Sequence, residues 1–100
     1  MTALGGDTLY FVYILTNARH NVLYTGVSRY LKGRVYRHRE KLIPGFTSRY
    51  NVFKLIYYEV FADPRAAITG EKQIKAGSRQ KKIDLINRFN PQWRDLYEEI

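Results

Sequence analysis

The sequence has 100 residues, of which 45% are hydrophobic and 15% aromatic, which allows one domain with a core and argues against intrinsic disorder. It contains no cysteine, which excludes disulfides, thiolate metal sites and a cysteine nucleophile. The formal net charge of +8, from 17 basic and 9 acidic residues, favours a polyanionic partner. We therefore expect a single domain over residues 1–100, with a flexible segment at residues 1–8 and a tail at residues 91–100 that docks on the core.

The start of the chain, MTALGGDT, lacks the basic region and the apolar region of a signal peptide. No apolar run approaches the roughly 18 residues that a membrane-spanning helix needs. The sequence therefore predicts a cytoplasmic protein that does not associate with a membrane.

The first half of the chain predicts a hairpin followed by a helix. Residues 9–16 and 22–26 are rich in β-branched and aromatic residues and are separated by turn formers, so they predict two antiparallel strands. Ser28 is expected to cap a helix over residues 29–42. Three apolar residues of that helix form one stripe: Leu31, Val35 and Leu42. Residues 43–48 predict a break in regular structure.

The second half predicts one strand and two helices. Residues 51–61 are the longest β-like run and are expected to form the central or the third strand. Asp63, followed by a proline, is expected to cap a helix that ends at Gly77, and Ser78 to cap a last helix over about residues 79–88. The order β-β-α-β-α-α predicts an α+β fold with a three-stranded antiparallel sheet flanked by helices.

Two stretches concentrate the positive charge. Residues 29–41 hold six basic residues against one acid, and residues 72–88 hold six more against one acid. Two basic clusters on a small domain are typical of a nucleic-acid-binding surface, although a solvated surface has the same composition. The basic residues of these stretches that we expect to contact nucleic acid are Arg29, Arg37, Lys72, Lys75, Lys81 and Lys82.

Two short motifs lie on the predicted hairpin: Phe11-Val12-Tyr13 and Tyr24-Thr25-Gly26. They resemble the Gly-Ile-Tyr and Tyr-Ile-Gly motifs that name the GIY-YIG nuclease family. Phe11 stands in place of the family's first glycine, and Thr25 in place of its second isoleucine. Both tyrosines and the last glycine are retained.

The resemblance continues along the chain to about residue 93 and is closest to the small single-domain bacterial branch. Arg34 follows the second tyrosine by ten residues and His38 follows four residues later, while Glu71 lies on the next long helix. The resemblance implies a catalytic site made of Tyr13, Tyr24, Arg34, His38 and Glu71. It also implies further nucleic-acid contacts from Ser48, Arg49 and Asn90.

Each role that the resemblance implies has a physical reason. Tyr24 is the general base that activates water for attack on phosphorus, and Tyr13 orients it or contacts phosphate. Arg34 and His38 share one helix face, where arginine neutralises phosphoryl charge and histidine donates a hydrogen bond or assists proton transfer. Glu71 is the ligand of one Mg²⁺ or Mn²⁺ ion. Without the motif, the same residues would be interpreted as tyrosines that pack in the core, as charged residues on the surface, and as a salt bridge between Glu71 and Lys75.

The resemblance therefore implies a metal-dependent endonuclease that hydrolyses DNA and acts in DNA repair. Two alternatives stay open: a non-catalytic nucleic-acid-binding module of the same fold, and a small basic RNA-associated protein. A nuclease of this size has no room for a second DNA-binding domain. We therefore expect that it recognises branched or nicked DNA, that it cuts DNA with low specificity, or that a protein partner directs it to its target.

Overall fold

The computed structural model describes residues 8–100. Within this range three strands form one antiparallel sheet in the order β2-β1-β3: β1 is Tyr10–Thr16, β2 is Leu23–Ser28 and β3 is Lys54–Phe61. The predicted α+β fold with a three-stranded antiparallel sheet is confirmed. The expectation of a flexible segment at residues 1–8 falls, apart from Thr8, outside the described residues.

The central strand is β1. Its residues Val12–Thr16 are all buried, whereas Glu59 and Val60 of β3 are exposed. A strand that is covered on both faces is expected to be apolar throughout, as this part of β1 nearly is. Residues 51–61 were expected to form the central or the third strand. They contain β3, which is the third strand and lies at an edge of the sheet.

The hairpin brings the two predicted motifs side by side. Tyr13 pairs with Gly26, and Leu15 pairs with Tyr24. Because side chains alternate between faces with a period of two, Tyr13, Gly26 and Tyr24 share one face of the sheet. On its other edge β1 pairs with β3, with a register shift between Ile14 and Leu15.

Within residues 8–100, four helices and one 3-10 turn accompany the sheet. Their bounds are α1 Leu31–Arg39, α2 Phe46–Arg49, α3 Pro64–Ala76, α4 Arg79–Phe89 and the turn Tyr97–Glu99. Among residues 8–100, none of these helices has the length and apolar character needed to cross a membrane.

The first helix is shorter than predicted at both ends. Ser28 does not cap it: the N-cap is Tyr30, and the Ser28 hydroxyl oxygen accepts a hydrogen bond from the Tyr30 backbone N–H at 3.0 Å. Beyond Arg39, the backbone of Lys41 is left-handed with a φ of 58°, which is incompatible with a continuing helix. Leu42 therefore leaves the apolar stripe and is 62% exposed.

The segment at residues 43–48, predicted as a break, contains the beginning of α2. Gly45 precedes this helix with a φ of 117°, a backbone conformation that glycine adopts without steric strain. A helix of one turn is too short to show an apolar period, so the sequence gives no signal for it.

The predicted starts of α3 and α4 are confirmed. Asp63 Oδ2 accepts a hydrogen bond from the Ala66 backbone N–H at 2.9 Å, and Ser78 Oγ accepts one from Lys81 at 3.1 Å. Each cap satisfies an N–H group that has no partner in the first helical turn. The last helix continues to Phe89, one residue beyond its predicted end.

The sheet carries one apolar cluster on each face. The first cluster packs α1 and the C-terminal tail on the sheet and consists of Tyr13, Leu15, Leu31, Val35, Val52, Leu55 and Leu96. The second packs α4 on the opposite face and consists of Ile14, Ile56, Tyr57 and Ile86. The tail is also held by the Leu96 backbone N–H, which donates to the Leu55 carbonyl at 2.7 Å. Packing thus fixes α1 over the face that carries both motif tyrosines.

Candidate active site

Tyr13 and Tyr24 lie side by side, with ring centroids 6.5 Å apart. The hairpin therefore brings both motif tyrosines to one face of the sheet. The ring of Tyr13 crosses Gly26, where an added Cβ atom would lie 2.5 Å from the Tyr13 hydroxyl oxygen. The glycine of the second motif therefore leaves room for the tyrosine of the first.

His38 joins the two tyrosines in a buried cluster. It lies one turn after Val35 on α1 and is 3% exposed. The Tyr13 hydroxyl lies 3.3 Å from His38 Nε2, and the ring centroids of Tyr24 and His38 are 5.4 Å apart. On the other side of the imidazole, His38 Nδ1 lies 2.8 Å from Thr47 Oγ1. Both ring nitrogens of His38 therefore have partners inside the protein.

Burial controls the protonation states in this cluster. Burial, followed by the charge of Arg34, lowers the pKa of His38, so the imidazole is neutral at neutral pH. Burial is also the main cause that raises the pKa of Tyr13; negative charge at Tyr24 and Glu71 adds to it, and Arg34 opposes it. Tyr13 therefore keeps its proton at neutral pH.

Arg34 and Glu71 reach the cluster from two helices. Arg34 lowers and Glu71 raises the pKa of Tyr13, and α1 and α3 border one cleft at this corner of the sheet. Arg34 is exposed and lines a cleft of about 450 Å³ that Ala67 and Ile68 of α3 border. Glu71 lies one turn after Ala67. The structure thus brings Tyr13, Tyr24 and His38 into contact, and Arg34 lies one turn before His38 on α1, while Glu71 lies on α3.

The carboxylate of Glu71 has a partner in this structure. Its Oε2 lies 2.6 Å from Lys75 Nζ, which is the i,i+4 pair that the sequence allowed. The Glu71 side chain is 12% exposed and that of Lys75 is 52% exposed. Because the lysine end of the pair is open to water, separating the two charges costs only on the order of 1 kcal/mol.

Glu71 is the residue that the sequence predicts to bind a metal ion. Within residues 8–100, no group of three or more His, Cys, Asp or Glu side chains is placed to hold an ion. The described part of the chain therefore forms no cage of the kind that zinc or calcium requires. A single carboxylate does fit Mg²⁺ or Mn²⁺, which keeps several water ligands and takes others from a substrate phosphate.

The first basic cluster surrounds this corner. Arg29 and Arg37 are exposed, and each shares a cleft with Arg34, of about 450 Å³ and about 240 Å³ respectively. Ser48 and Arg49 lie on α2, the helix whose Thr47 contacts His38; Ser48 is half-buried and Arg49 is exposed.

The second basic cluster is divided between surface and structural positions. Lys72 and Lys81 are exposed. The Lys82 ammonium donates to the Gly77 carbonyl at 2.7 Å, which stabilises the turn between α3 and α4. Lys75 pairs with Glu71. Lys72 and Lys81 are therefore the two ammonium groups of this cluster best placed for phosphate.

Asn90 is buried with its side chain bonded inside the protein, so it is not available for the nucleic-acid contact that the sequence predicts. The residue is 5% exposed, and its amide nitrogen donates to the carbonyls of Ile56, at 3.1 Å, and Arg94, at 2.8 Å. Its amide oxygen accepts from the Arg94 backbone N–H at 3.2 Å. Asn90 therefore ties the end of α4 to β3 and the tail, because every polar atom of its side chain is used inside the protein.

Two residues of α2 belong to the site without having been predicted. Thr47 is 4% exposed and holds His38 Nδ1, while the Phe46 ring stacks on Tyr24 with centroids 6.2 Å apart and an interplanar angle of 25°. An aromatic residue beside a threonine in a polar segment is the only signal in the sequence, and it does not identify their partners.

The candidate site is an open surface. A cleft of about 500 Å³ lies between β3 and α3, and among the described residues that line it none belongs to the predicted catalytic set. Phe11, in place of the family's first glycine, packs against the first apolar cluster and lines a separate cleft with Leu31 and Ile100. An open site suits a polymeric substrate better than a small molecule, which usually binds in a pocket.

Comparisons with known proteins agree on one family. The family model of the GIY-YIG catalytic domain matches residues 9–84. A UPF0213 protein of Clostridium perfringens is 34% identical over 90 residues, which are 90% of this chain and 96% of that protein. A UPF0213 protein of Staphylococcus saprophyticus is 31% identical over 78 residues, or 78% of this chain and 94% of that protein.

One solved structure shares the fold. The solution NMR structure of a UPF0213 protein from Bacillus halodurans has a TM-score of 0.57 and 24% identity, and the match covers 87% of this chain and 92% of that one. The residues matched by the family model include both motif tyrosines, Arg34, His38 and Glu71. The chain therefore belongs to the GIY-YIG family of nuclease domains, and its relatives are the small bacterial UPF0213 proteins.

Proposed function

We propose that this protein is a divalent-metal-dependent endonuclease that hydrolyses phosphodiester bonds in DNA. The observation that carries the proposal is the cluster of Tyr13, Tyr24 and His38, whose ring centroids all lie within 6.5 Å of one another. The charges of Arg34 and Glu71 act on the same cluster. Ionisable groups packed this closely, with the pKa of Tyr13 raised and that of His38 lowered, are typical of catalytic sites. Family membership supports the same chemistry.

Tyr24 is the proposed general base. It is half-buried, whereas Tyr13 and His38 are buried, so it is the member of the cluster that solvent and substrate can reach. Tyr13 keeps its proton because burial and the neighbouring negative charges raise its pKa. The exposed edge of the cluster therefore leaves Tyr24 as the phenol proposed to accept the proton of the attacking water. Tyr13 and His38 act on the reaction by positioning Tyr24.

Arg34 is the proposed electrostatic stabiliser. It is exposed beside the cluster, so its guanidinium can donate to the phosphoryl oxygens as negative charge builds up on them. The same positive charge lowers the pKa of His38 and so helps to keep the imidazole neutral. Arg34 thus supports both the transition state and the positioning residues.

Glu71 is the proposed ligand of one Mg²⁺ or Mn²⁺ ion, together with water and a substrate phosphate. When bound, the ion supplies charge stabilisation at the phosphate and the leaving oxygen. Lys75, which pairs with Glu71, would then be released to contact a neighbouring phosphate.

The proposed substrate is DNA because the chain carries a net charge of +8 and the exposed Arg29, Arg37 and Arg49 lie around the cluster or on α2. Phosphate contacts of this kind make binding steeply dependent on salt. We extend the proposal to nicked or branched DNA, to targeting by a protein partner, to a role in DNA repair and to a cytoplasmic location.

A non-catalytic nucleic-acid-binding module is the second candidate. The Glu71–Lys75 pair favours it, because a carboxylate neutralised by a lysine 2.6 Å away has less attraction for a metal ion. Both candidates predict salt-dependent DNA binding, so binding alone does not separate them. Cleavage does.

The test is incubation of the protein with end-labelled linear, nicked and branched DNA in Mg²⁺, in Mn²⁺ and in EDTA. We expect cleavage in both metals and none in EDTA. Equal binding of all three DNAs with no cleavage in either metal would favour the binding module. Labelled RNA of the same sequence in parallel reactions tests the RNA-associated alternative.

A further inference from the structure

Two exposed aromatic rings stand next to the proposed base. Phe46 is 48% exposed and Tyr50 is 46% exposed, and their ring centroids are 4.9 Å apart. The other side of this pair reaches the site, because Phe46 stacks on Tyr24 at 6.2 Å. Phe46 and Tyr50, called here the aromatic platform, thus continue the Tyr24 ring outward onto the surface.

The platform is unfavourable for the free protein. Two large aromatic rings left about half in water lose the stabilisation that burial would give. The α2 turn itself does not require them, since neither ring belongs to the two buried apolar clusters. Adjacent exposed aromatic side chains beside a polar site are typical of a surface that binds a partner.

We propose that the aromatic platform stacks on an unpaired base next to the bond that is cut, so that the preferred substrate is DNA with a single-stranded segment. This inference rests on the proposed nuclease function, since it names the substrate class of the same site. Aromatic side chains bind single-stranded nucleic acid by stacking on bases, with little regard for sequence.

The stacking mode selects against intact duplex. Inside a double helix both faces of each base are covered by its neighbours, so a protein ring reaches a base face only where pairing is broken. Flaps, gaps and free single strands offer such bases. An open site with aromatic side chains beside Tyr24 would therefore favour these DNAs over continuous duplex.

The surrounding charge identifies the occupant as nucleic acid. Arg49 lies on the same short helix as Phe46 and is exposed, and Arg34 is exposed beside the Tyr24 cluster. The aromatic rings can stack on the bases of a nucleic-acid strand, and the guanidinium groups can contact its phosphates. An apolar protein surface would leave these charges without partners.

Phe46 has a plainer role that the test must separate, because its ring also supports Tyr24. Tyr50 separates the two roles, since its ring contacts Phe46 and lies further from the site. Phe46→Leu keeps an apolar support for Tyr24 and removes the aromatic face, whereas Phe46→Tyr keeps both. Phe89 provides a matched control: it is 44% exposed and packs on Tyr57 and Tyr58 of β3, the opposite edge strand from β2.

The direct measurement is binding without cleavage. Fluorescein-labelled oligothymidylate of roughly 12 nucleotides and the same strand with abasic central positions are titrated by anisotropy in EDTA. We expect wild type and Phe46→Tyr to bind the intact strand on the order of tenfold more tightly than the abasic strand. Phe46→Ala, Phe46→Leu and Tyr50→Ala should lose this preference, while Phe89→Ala should keep it. Equal preference in wild type and Phe46→Ala would overturn the proposal.

A cleavage assay adds the substrate ranking. With Mg²⁺, wild type should cut a flap or single strand with a higher kcat/KM than an unbroken duplex of the same sequence. Tyr50→Ala should reduce that ratio, whereas the control Phe89→Ala should keep it. Equal cleavage of both DNAs by wild type would refute the substrate class while leaving the nuclease function in place. If wild type binds the intact strand more tightly than the abasic strand but cuts no DNA, the nuclease function is contradicted and the base-stacking role of the platform is not.

Discussion

The Tyr13 hydroxyl and His38 Nε2 lie 3.3 Å apart inside the protein, 25 residues apart in sequence. This contact links the first strand to the first helix at the point where Tyr24 also packs. With Thr47 at the far side of the imidazole, it forms a continuous line of polar groups in a largely apolar cluster. A buried line of this kind fixes the orientation of each member, and so fixes the setting of Tyr24.

Loss of this line of polar groups should lower kcat more than it lowers the affinity for DNA. Tyr13→Phe removes a hydroxyl that is 1% exposed and does not reach solvent, so substrate affinity should change little. We expect kcat to fall by about ten- to a hundredfold, because Tyr24 is less well positioned. Single-turnover cleavage over a range of DNA concentrations measures both quantities.

Thr47 gives a separate test of the same line. Thr47→Val keeps the shape of the side chain and removes the oxygen that holds His38 Nδ1, so it should lower kcat in the same direction by about tenfold. Thr47→Ser retains the oxygen and should restore the rate. A Val variant as active as wild type would show that the imidazole needs no partner at Nδ1.

Gly26 should not tolerate a side chain. Gly26→Ala places a Cβ atom 2.5 Å from the Tyr13 hydroxyl oxygen and 2.6 Å from its ring, so the ring must move. We expect the free energy of unfolding to fall by about 1–3 kcal/mol, as for other overpacked sites. Gly77→Ala is the matched control, since its nearest contact would be an ordinary 3.5 Å. Urea unfolding measures both variants, and similar losses in the two would contradict the steric argument.

Lys75 should compete with the metal ion for Glu71. Lys75→Ala removes the ammonium that lies 2.6 Å from the carboxylate, so the Mg²⁺ concentration for half-maximal cleavage should fall on the order of fivefold. Lys72→Ala, an exposed lysine on the same helix, is the control for general loss of charge. If both variants shift the Mg²⁺ dependence equally, the local pair has no part in it.

Stability should decrease in mild acid because of His38. Folding lowers the pKa of this histidine, so the unfolded chain binds the proton more tightly than the folded one. The contribution is intact above the ordinary histidine pKa of about 6.5 and is lost progressively as the pH falls from there towards the lowered pKa. Thermal unfolding at about pH 7.5 and about pH 5 measures the loss.

The controls for this pH effect are two glutamine variants. His38→Gln has no titrating ring at this position and should lose less stability than wild type between the two pH values. His20→Gln should resemble wild type, since His20 lies nearer the surface and contributes less. An identical pH response of wild type and His38→Gln would show that another group controls acid stability.

Much of the fold and part of the site could be predicted from local patterns. The hairpin was predicted correctly because two runs of β-branched and aromatic residues are separated by turn formers. The caps Asp63 and Ser78 were predicted correctly because their partners lie three residues away. These features depend on neighbours in sequence, so the sequence contains them.

Other features depend on tertiary contacts. Asn90 was assigned to the site, but β3 and the tail use all of its polar atoms, and no local pattern shows those partners. Ser28 was expected to cap the first helix, but it is the last residue of β2. The helix begins at Leu31, and its N-cap is Tyr30. The contacts of Phe46 and Thr47 arise only when a one-turn helix packs on α1.

The measurement that tests the central claim most directly is the single-turnover cleavage rate of end-labelled DNA in Mg²⁺ for wild type, Tyr24→Phe and Glu71→Gln. The phenylalanine removes the ionisable oxygen, and the glutamine keeps the shape of the side chain but loses its charge. We predict cleavage by wild type and a loss of at least about a hundredfold in each variant, with DNA affinity in EDTA nearly unchanged. Equal rates for wild type and either variant would contradict the assigned role of that residue, and a wild type that cuts no DNA with any divalent ion would contradict the nuclease function.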